Sequence, residues 1–343
     1  MKKVFLIIAS LITLTACSVD PEIKPIISGN DVKEIIPPGW PTPFYNYANN
    51  PLTADGFMLG RTLFYDPILS LDNTISCGSC HQQFAAFSHS GHDVSHGIYG
   101  LLGTRNAPVI QNLNWNTSFM HDGGINNIEV MPSAPITNPV EMNETMTNIV
   151  SKLSFSEKYK KLFTNAFGDN VINSQRIFKA MAQFIGTIYS YNSKYDMVKL
   201  GKATFSDQEQ AGYNLFVQKC ASCHKEPLFT DYQFRNNGLS VNMNYNDSGR
   251  AGITGDPLDK FKFKTPSLRN IEKSGPYMHD GRFATLDQCI NHYTSGIFYS
   301  ATLDPQLTNG ISLSDQEKAN IKAFLKTLTD TKFLTDSKYS ETN

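Results

Sequence analysis

The sequence has no surplus of either charge. Its 343 residues carry 30 Lys and Arg against 31 Asp and Glu, which gives a formal net charge of −1. A protein that wraps nucleic acid needs a cationic surplus to neutralise phosphates, so nucleic acid is not an expected partner. With 40% hydrophobic and 18% charged side chains, the chain can bury one large core or two ordinary ones. This composition excludes disordered, collagen-like and coiled-coil proteins.

Long apolar runs are scarce, and the one at residues 4–14 is too short to span a bilayer. It follows two lysines, a pattern typical of an export signal. It ends in Leu-Thr-Ala-Cys, which resembles the bacterial lipobox with Cys17 as the lipid-bearing residue; a plain signal peptide with a stray cysteine is the alternative. We predict a lipoprotein signal over 1–16, a tether over 17–40, and a periplasmic protein held to the outer membrane only by lipid on Cys17.

Cysteine is also scarce, yet four of the six cysteines and two of the eight histidines form two copies of Cys-x-x-Cys-His. This is the attachment signature of c-type haem, because two thiols one helical turn apart reach two vinyl groups and the histidine reaches the iron. A four-thiolate zinc site or a redox dithiol would leave both histidines unexplained. The sequence therefore predicts two covalent haems, one on Cys77, Cys80 and His81 and one on Cys220, Cys223 and His224.

A second pattern recurs after each haem motif. A proline is followed four residues later by an asparagine and nine residues further on by the histidine of a Met-His-Asp-Gly string. The two copies are Pro108, Asn112 and His121, and Pro266, Asn270 and His279. The matched spacing indicates a duplicated haem-binding unit.

Helix signals follow the same division, whereas alternating strand patterns are scarce. Capping boxes at 206–209 and 314–317 each open a helix, and residues 147–165 and 174–191 have amphipathic periodicity. We predict a mainly α fold with few short strands and long functional loops. The boundary between its halves is expected near residues 195–204.

These motifs resemble the bacterial di-haem cytochrome c peroxidase family, including its MauG-like branch. The strings that carry the resemblance are the two haem motifs, Arg-Asn-Ala-Pro at 105–108, Asn-Pro-Val-Glu-Met at 138–142 and Thr-Pro-Ser-Leu-Arg-Asn at 265–270. The resemblance implies two cytochrome c-like domains, a peroxidatic one at 41–200 and an electron-transfer one at 201–335. It also implies that hydrogen peroxide reacts at the first haem, while the second takes electrons from a cytochrome c or cupredoxin.

The resemblance also assigns residues near the first haem. Glu141 matches the family's distal acid, which moves a proton between the peroxide oxygens; from the residues alone, an acid at a helix N-terminus is the stronger interpretation. His96 lies near the family's distal histidine, but its register is off by one or two residues, which favours an open five-coordinate iron. His89 and His92 are interpreted as solvated loop histidines.

Two features of many family members are replaced in this chain. Met131 stands where a glutamine is often found, and His121 stands where many members have a tryptophan between the haems. Electron transfer through a bridging tryptophan is therefore in doubt. Tunnelling through His121 or the intervening backbone is the alternative.

The sixth ligand of the second haem has two candidates. The better-known peroxidases use a methionine, but none occurs beyond Met278, and the position matched in the MauG-like branch is Tyr293. His292 is the competing ligand, and a tyrosine in the core is the structural alternative. A tyrosine oxygen stabilises ferric iron, so this haem would have a low reduction potential.

The family's calcium site is matched by the Asn106 side chain, with the carbonyls of Lys264 and Pro266 as further candidates. One calcium ion is therefore an expected cofactor. Cys289 has no nearby cysteine in the sequence and is interpreted as a buried small hydrophobe. Family members are often dimers, which leaves a homodimer open.

The leading hypothesis is a periplasmic di-haem cytochrome c peroxidase that reduces hydrogen peroxide to water. The first alternative is a MauG-like oxidase that modifies a partner protein. The second is a di-haem electron-transfer cytochrome without catalytic activity.

Overall fold

The computed structural model describes residues 32–341, and their secondary structure is almost entirely helical. Within that range the one sheet has two antiparallel strands, β1 Phe234–Arg235 and β2 Phe263–Lys264. The α-helices are α1 Ala54–Tyr65, α2 Cys77–Cys80, α3 Ser133–Thr137, α4 Met146–Ser154, α5 Glu157–Phe167, α6 Ser174–Ile185, α7 Lys194–Lys199, α8 Asp207–Lys219, α9 Ala251–Thr254, α10 Leu286–Ser295, α11 Asp315–Lys326 and α12 Thr331–Thr335. The predicted mainly α fold is confirmed. The predicted signal peptide, Cys17 and the first part of the tether lie outside the described residues.

The two halves are built around the same kind of helix crossing. In the first half α1 packs on α6, and a Cβ placed on Gly60 would lie 1.9 Å from the Ala180 carbonyl oxygen. In the second half α8 packs on α11, and a Cβ on Gly212 would lie 1.9 Å from the carbonyl oxygen of Asn320. Glycine is required at both crossings because the two helix backbones approach so closely.

Corresponding positions of the two repeats share unusual backbone conformations. Asn112 and Asn270 are both left-handed, with φ of 53° and 58°, and so are Met120 and Met278, at 64° and 74°. This agreement confirms the predicted duplication.

The halves also exchange two equivalent backbone hydrogen bonds. The Asn106 N–H donates to the His279 carbonyl, and the Lys264 N–H donates to the His121 carbonyl, both at 2.7 Å. Asn106 and Lys264 each stand two residues before the repeat's proline. The two Met-His-Asp-Gly loops are therefore related by a local two-fold axis.

Two predicted helices have different bounds. The pattern at 147–165 is divided into α4 and α5, because Ser156 caps a new helix and Phe155 before it is exposed. The helix predicted over 174–191 ends at Ile185. The capping boxes at Ser206 and Ser314 are confirmed at the starts of α8 and α11.

The end of the described chain returns to the first half. Phe333, Leu334 and Tyr339 are buried in the same core cluster as Phe57 and Val32. Part of the segment predicted as a tether is therefore packed in this core.

The predicted domain limits stay predictions. No helix in residues 32–341 is long and apolar enough to cross a membrane.

Candidate haem-binding cavity

A cavity of about 1100 Å³ is lined by both Cys-x-x-Cys-His motifs. The four cysteines of the motifs are free thiols, and burial raises the pKa of Cys77 and of Cys220 to about 12. No group of three or more Cys, His, Asp or Glu in the described part of the chain is arranged to hold a metal ion. The geometry therefore does not support the four-thiolate zinc alternative.

The histidine of each motif is held by backbone carbonyls. His81 Nδ1 lies 2.7 Å from the Phe87 carbonyl oxygen, and His224 Nδ1 lies 3.1 Å from that of Phe229 and 3.2 Å from that of Pro266. A carbonyl only accepts, so Nδ1 carries the hydrogen in both rings and Nε2 keeps its lone pair. Burial also lowers the pKa of both imidazoles. Both rings are thus fixed in the form that binds iron.

Cationic side chains of the cavity have unused hydrogen-bond donors. Arg235 pairs with Asp231 and Asp304, each at 2.6 Å, yet its buried Nε has no partner. The Lys264 ammonium donates to the Ser118 carbonyl at 2.5 Å, which uses one of its three hydrogens. Haem carries two propionate carboxylates that need such donors. The thiols, imidazoles and cations of the cavity therefore fit haem.

Glu141 lines the cavity together with His96 and Met131. Burial raises the pKa of the Glu141 carboxyl group. Asn138 Nδ2 donates a hydrogen bond to Glu141 Oε1 at 3.1 Å, and this bond lowers the same pKa by a smaller amount. The helix that follows is capped by Thr145 rather than by Glu141. The interpretation of Glu141 as a helix N-terminal acid is therefore wrong.

The loop that carries His96 lies against the Glu141 backbone. The Ile98 N–H donates to the Glu141 carbonyl at 2.8 Å, and a Cβ on Gly97 would lie 2.1 Å from the Val140 carbonyl oxygen. The structure thus brings His96 and Glu141 to one cavity. Whether His96 binds iron stays a prediction.

His89 is buried, which corrects its interpretation as a solvated loop histidine. Its ring stacks on His92 with centroids 4.2 Å apart, and His92 meets His96 at 4.4 Å. The loop folds back on itself and encloses His89, whereas His92 remains partly exposed. Neither His89 nor His92 lines the cavity.

Tyr293 lines the cavity, whereas His292 does not. His292 is buried, and its Nε2 lies 2.9 Å from the Asn237 carbonyl oxygen. Burial raises the pKa of Tyr293 to about 12. This arrangement favours Tyr293 over His292 as the sixth ligand, and Met278 also faces the cavity.

His121 and Asn106 line the same cavity as the two haem motifs. His121 Nε2 is 2.9 Å from the Asn106 carbonyl oxygen, and Asn106 Nδ2 donates to the carbonyls of His92 and Asp93 at 3.1 and 3.0 Å. The Pro266 carbonyl, a candidate calcium ligand, already accepts from His224. Calcium binding at Asn106 stays a prediction.

Cys289 lines the cavity one helical turn before Tyr293 on α10. Burial raises the pKa of its thiol to about 12. It is therefore a neutral side chain of the cavity wall, but it is partly exposed rather than fully buried as predicted.

Comparisons with known proteins agree with these features. Residues 54–199 match the family model described as di-haem cytochrome c peroxidase. The methylamine utilization protein MauG of Methylorubrum extorquens is 35% identical over 286 residues, which cover 81% of this chain and 79% of that protein. Cytochrome c551 peroxidase of Nitrosomonas europaea is 34% identical over 289 residues, which cover 82% of each.

Solved structures show the same fold. A MauG-like protein associated with microbial copper homeostasis superposes with a TM-score of 0.82 at 33% identity, over 89% of this chain and 97% of that chain. The diheme peroxidase BthA from Burkholderia thailandensis shares the fold with a TM-score of 0.71 at 21% identity, over 86% and 91% of the two chains.

Proposed function

This chain belongs to the di-haem cytochrome c peroxidase family, which includes MauG, and we propose that it reduces hydrogen peroxide to water. It is an oxidoreductase, and each Cys-x-x-Cys-His motif supplies the attachment site of one haem. Electrons would come from a small redox protein, a cytochrome c or a cupredoxin, and pass through the second haem to the first. Hydrogen peroxide takes up two electrons and two protons and yields two molecules of water.

The observation that carries the proposal is the part-buried carboxyl group of Glu141 in the cavity that His81 also lines. When bound, the haem iron supplies the site at which peroxide and electrons meet. The Glu141 carboxylate would accept the proton of one peroxide oxygen and return it to the other, which then leaves as water. Asn138 would hold the carboxyl group in place.

Turnover of the haem-loaded protein with a reduced donor and hydrogen peroxide tests this function. Glu141→Gln removes the proton acceptor but keeps the shape, so we expect turnover to fall by about 10²–10⁴-fold. Glu129→Gln is the matched control, because Glu129 is outside the cavity and its Oε1 accepts from the Tyr45 hydroxyl at 2.9 Å. Unchanged turnover in Glu141→Gln would overturn the role of Glu141.

A second candidate function is MauG-type oxidation of a partner protein. Tyr293 in the cavity and the 35% identity to a MauG protein support it. In that case peroxide would be consumed without an electron donor, and the oxidised side chain would be found in the partner by mass spectrometry. A peroxidase would instead oxidise its small donor in proportion to the peroxide consumed.

We propose further that the protein is exported and tethered through lipid on Cys17. The apolar run at 4–14 and the lipobox-like string before Cys17 support this location. Cys17→Ser would then release the protein from the membrane fraction. A calcium ion at Asn106 is likewise proposed, from the family resemblance.

A further inference from the structure

Both tryptophans of the sequence lie in one row of aromatic rings that begins at the haem-binding cavity. Tyr232 lines the cavity and packs on a buried cluster formed by Trp115, Tyr189 and Leu228. The Trp40 ring meets the Trp115 ring edge-on, with centroids 4.9 Å apart, and the Tyr189 ring lies 6.0 Å from Trp115. Indole and phenol are the side chains that lose an electron most easily, so this row offers a route for electrons into the cavity.

The row continues to a tyrosine near the surface. Asn114 Nδ2 donates to the Tyr189 hydroxyl at 3.0 Å and to the Tyr47 hydroxyl at 3.2 Å, so one amide joins these two phenols. The buried Tyr47 ring meets the ring of the half-buried Tyr45 with centroids 5.1 Å apart. We call the following six residues the aromatic row: Tyr232, Trp40, Trp115, Tyr189, Tyr47 and Tyr45.

The outer end of the aromatic row has a proton acceptor. The Tyr45 hydroxyl donates to Glu129 Oε1 at 2.9 Å. A phenol that loses an electron becomes a strong acid, and an ionised carboxylate can take its proton. The Tyr189 and Tyr47 hydroxyls instead accept hydrogen bonds from an amide, which cannot take a proton. Tyr45 is therefore the tyrosine of the row at which oxidation is most easily held.

Trp115 can pass an electron but cannot hold the oxidation. Its Nε1 donates to the Pro41 carbonyl at 2.7 Å, and a neutral carbonyl is too weak a base to take the proton. An oxidised Trp115 therefore keeps its proton and stays a strong oxidant. It can take an electron from a neighbouring tyrosine, and the oxidation then moves outward.

We propose that the aromatic row is a redox exit through which oxidising equivalents leave the haems when no donor protein supplies electrons. This inference rests on the proposed reduction of peroxide. In each step, one electron moves from the Tyr45 phenol along the row to a haem that peroxide has oxidised. The Tyr45 O–H bond breaks and its proton moves to Glu129. The products are a neutral tyrosyl radical, a Glu129 carboxylic acid and a haem site reduced by one electron.

Two such steps balance one molecule of peroxide, which takes two electrons from the haem-loaded protein. A small-molecule hydrogen donor in solution restores Tyr45 after each step, because it returns one electron and one proton. The exit therefore keeps oxidation away from the cavity wall.

The test uses the full-length, haem-loaded ferric protein, mixed with hydrogen peroxide in the absence of a donor and rapidly frozen. Electron paramagnetic resonance measures the organic radical, and protein labelled with ring-deuterated tyrosine identifies it, because deuteration narrows only a tyrosyl signal. We expect a tyrosyl signal that is lost in Tyr45→Phe and in Glu129→Gln. Tyr299→Phe is the matched control, since Tyr299 is more exposed but its hydroxyl donates to the Thr308 carbonyl at 2.6 Å.

Trp115→Phe interrupts the aromatic row but leaves Tyr45 and Glu129 in place. The tyrosyl signal should be lost, and the haem absorbance should bleach after fewer equivalents of peroxide than in the wild type. With a reduced donor present the exit is not used, so Glu129→Gln should then keep wild-type turnover. A tyrosyl signal of wild-type size in Tyr45→Phe or in Trp115→Phe would overturn the inference.

The wild-type protein separates this inference from the function on which it rests. If it consumes peroxide with a reduced donor but forms no tyrosyl radical without one, the redox exit is overturned and the proposed function stands. If it consumes no peroxide under either condition, both are overturned.

Discussion

At the residue scale, the environment of a side chain decides its chemistry more than its identity does. Glu141 and Glu144 are three residues apart, yet burial raises the pKa of Glu141, whereas hydrogen bonds and Lys152 at 2.7 Å lower that of Glu144. Only Glu141 faces the cavity. The raised pKa makes the Glu141 carboxylate a better proton acceptor than an exposed glutamate.

Removing Asn138 should change the pH profile of turnover. The hydrogen bond from Asn138 lowers the pKa of Glu141, so Asn138→Ala should raise that pKa further. Glu141 must be ionised to accept the peroxide proton, so the acidic limb of the kcat/KM profile should move to higher pH. A limb that stays in place, or moves to lower pH, would contradict the role given to Glu141.

Residue roles were predictable from the sequence only where neighbours along the chain define them. The spacing within 77–81 and 220–224 is set by covalent chemistry, so the haem motifs could be recognised without a structure. Tyr45, Trp115 and Tyr232 come from three separate segments, and nothing in the sequence shows that they belong to one row of rings. The burial of His89 was missed for the same reason, because it depends on how the loop folds back.

At the scale of elements, each half depends on one close helix crossing. Gly60 of α1 and Gly212 of α8 each precede a haem motif, and each lies against the backbone of a later helix. The capping boxes predicted α8 and α11 correctly because they are local signals. The break at Phe155 was missed, since the periodicity of α4 continues into α5.

The crossing of α8 and α11 should not tolerate a methyl group. Gly212→Ala would place Cβ 1.9 Å from the Asn320 carbonyl oxygen, so the helices must separate. We expect the free energy of unfolding to fall by about 1–3 kcal/mol or more in denaturant titrations of the haem-loaded protein. Gly252→Ala is the control, because the nearest atom there is the tip of the Ser248 side chain at 3.2 Å. Equal stability of the two variants would contradict the close crossing.

In the molecule as a whole, the last segment of the described chain packs against the first half. The segment after Asp330 packs into the first half, where the Tyr65 hydroxyl donates to the Tyr339 carbonyl at 2.7 Å and Arg61 donates to that of Lys338 at 2.8 Å. The duplicated motifs indicated two halves but gave no sign of this return. It could not be predicted, because α12 is too short to carry a distinctive pattern.

Removing this segment should destabilise the first half. A chain that ends at Thr329 loses the buried side chains of Phe333, Leu334 and Tyr339. Burial of a large apolar side chain is worth about 1.5–3 kcal/mol each. We expect a lower Tm and faster proteolysis in residues 41–200 than in the second half. Uniform protection of both halves in the truncated protein would contradict this expectation.

For the whole molecule, we propose that the first haem has an open iron beside Glu141 and that Tyr293 binds the iron of the second haem. Electron paramagnetic resonance of the haem-loaded ferric protein reports both irons at once. We predict one high-spin iron and one low-spin iron, with Tyr293→Phe changing only the low-spin signal. Two low-spin, six-coordinate ferric irons would contradict this proposal, since peroxide would then have no site to bind.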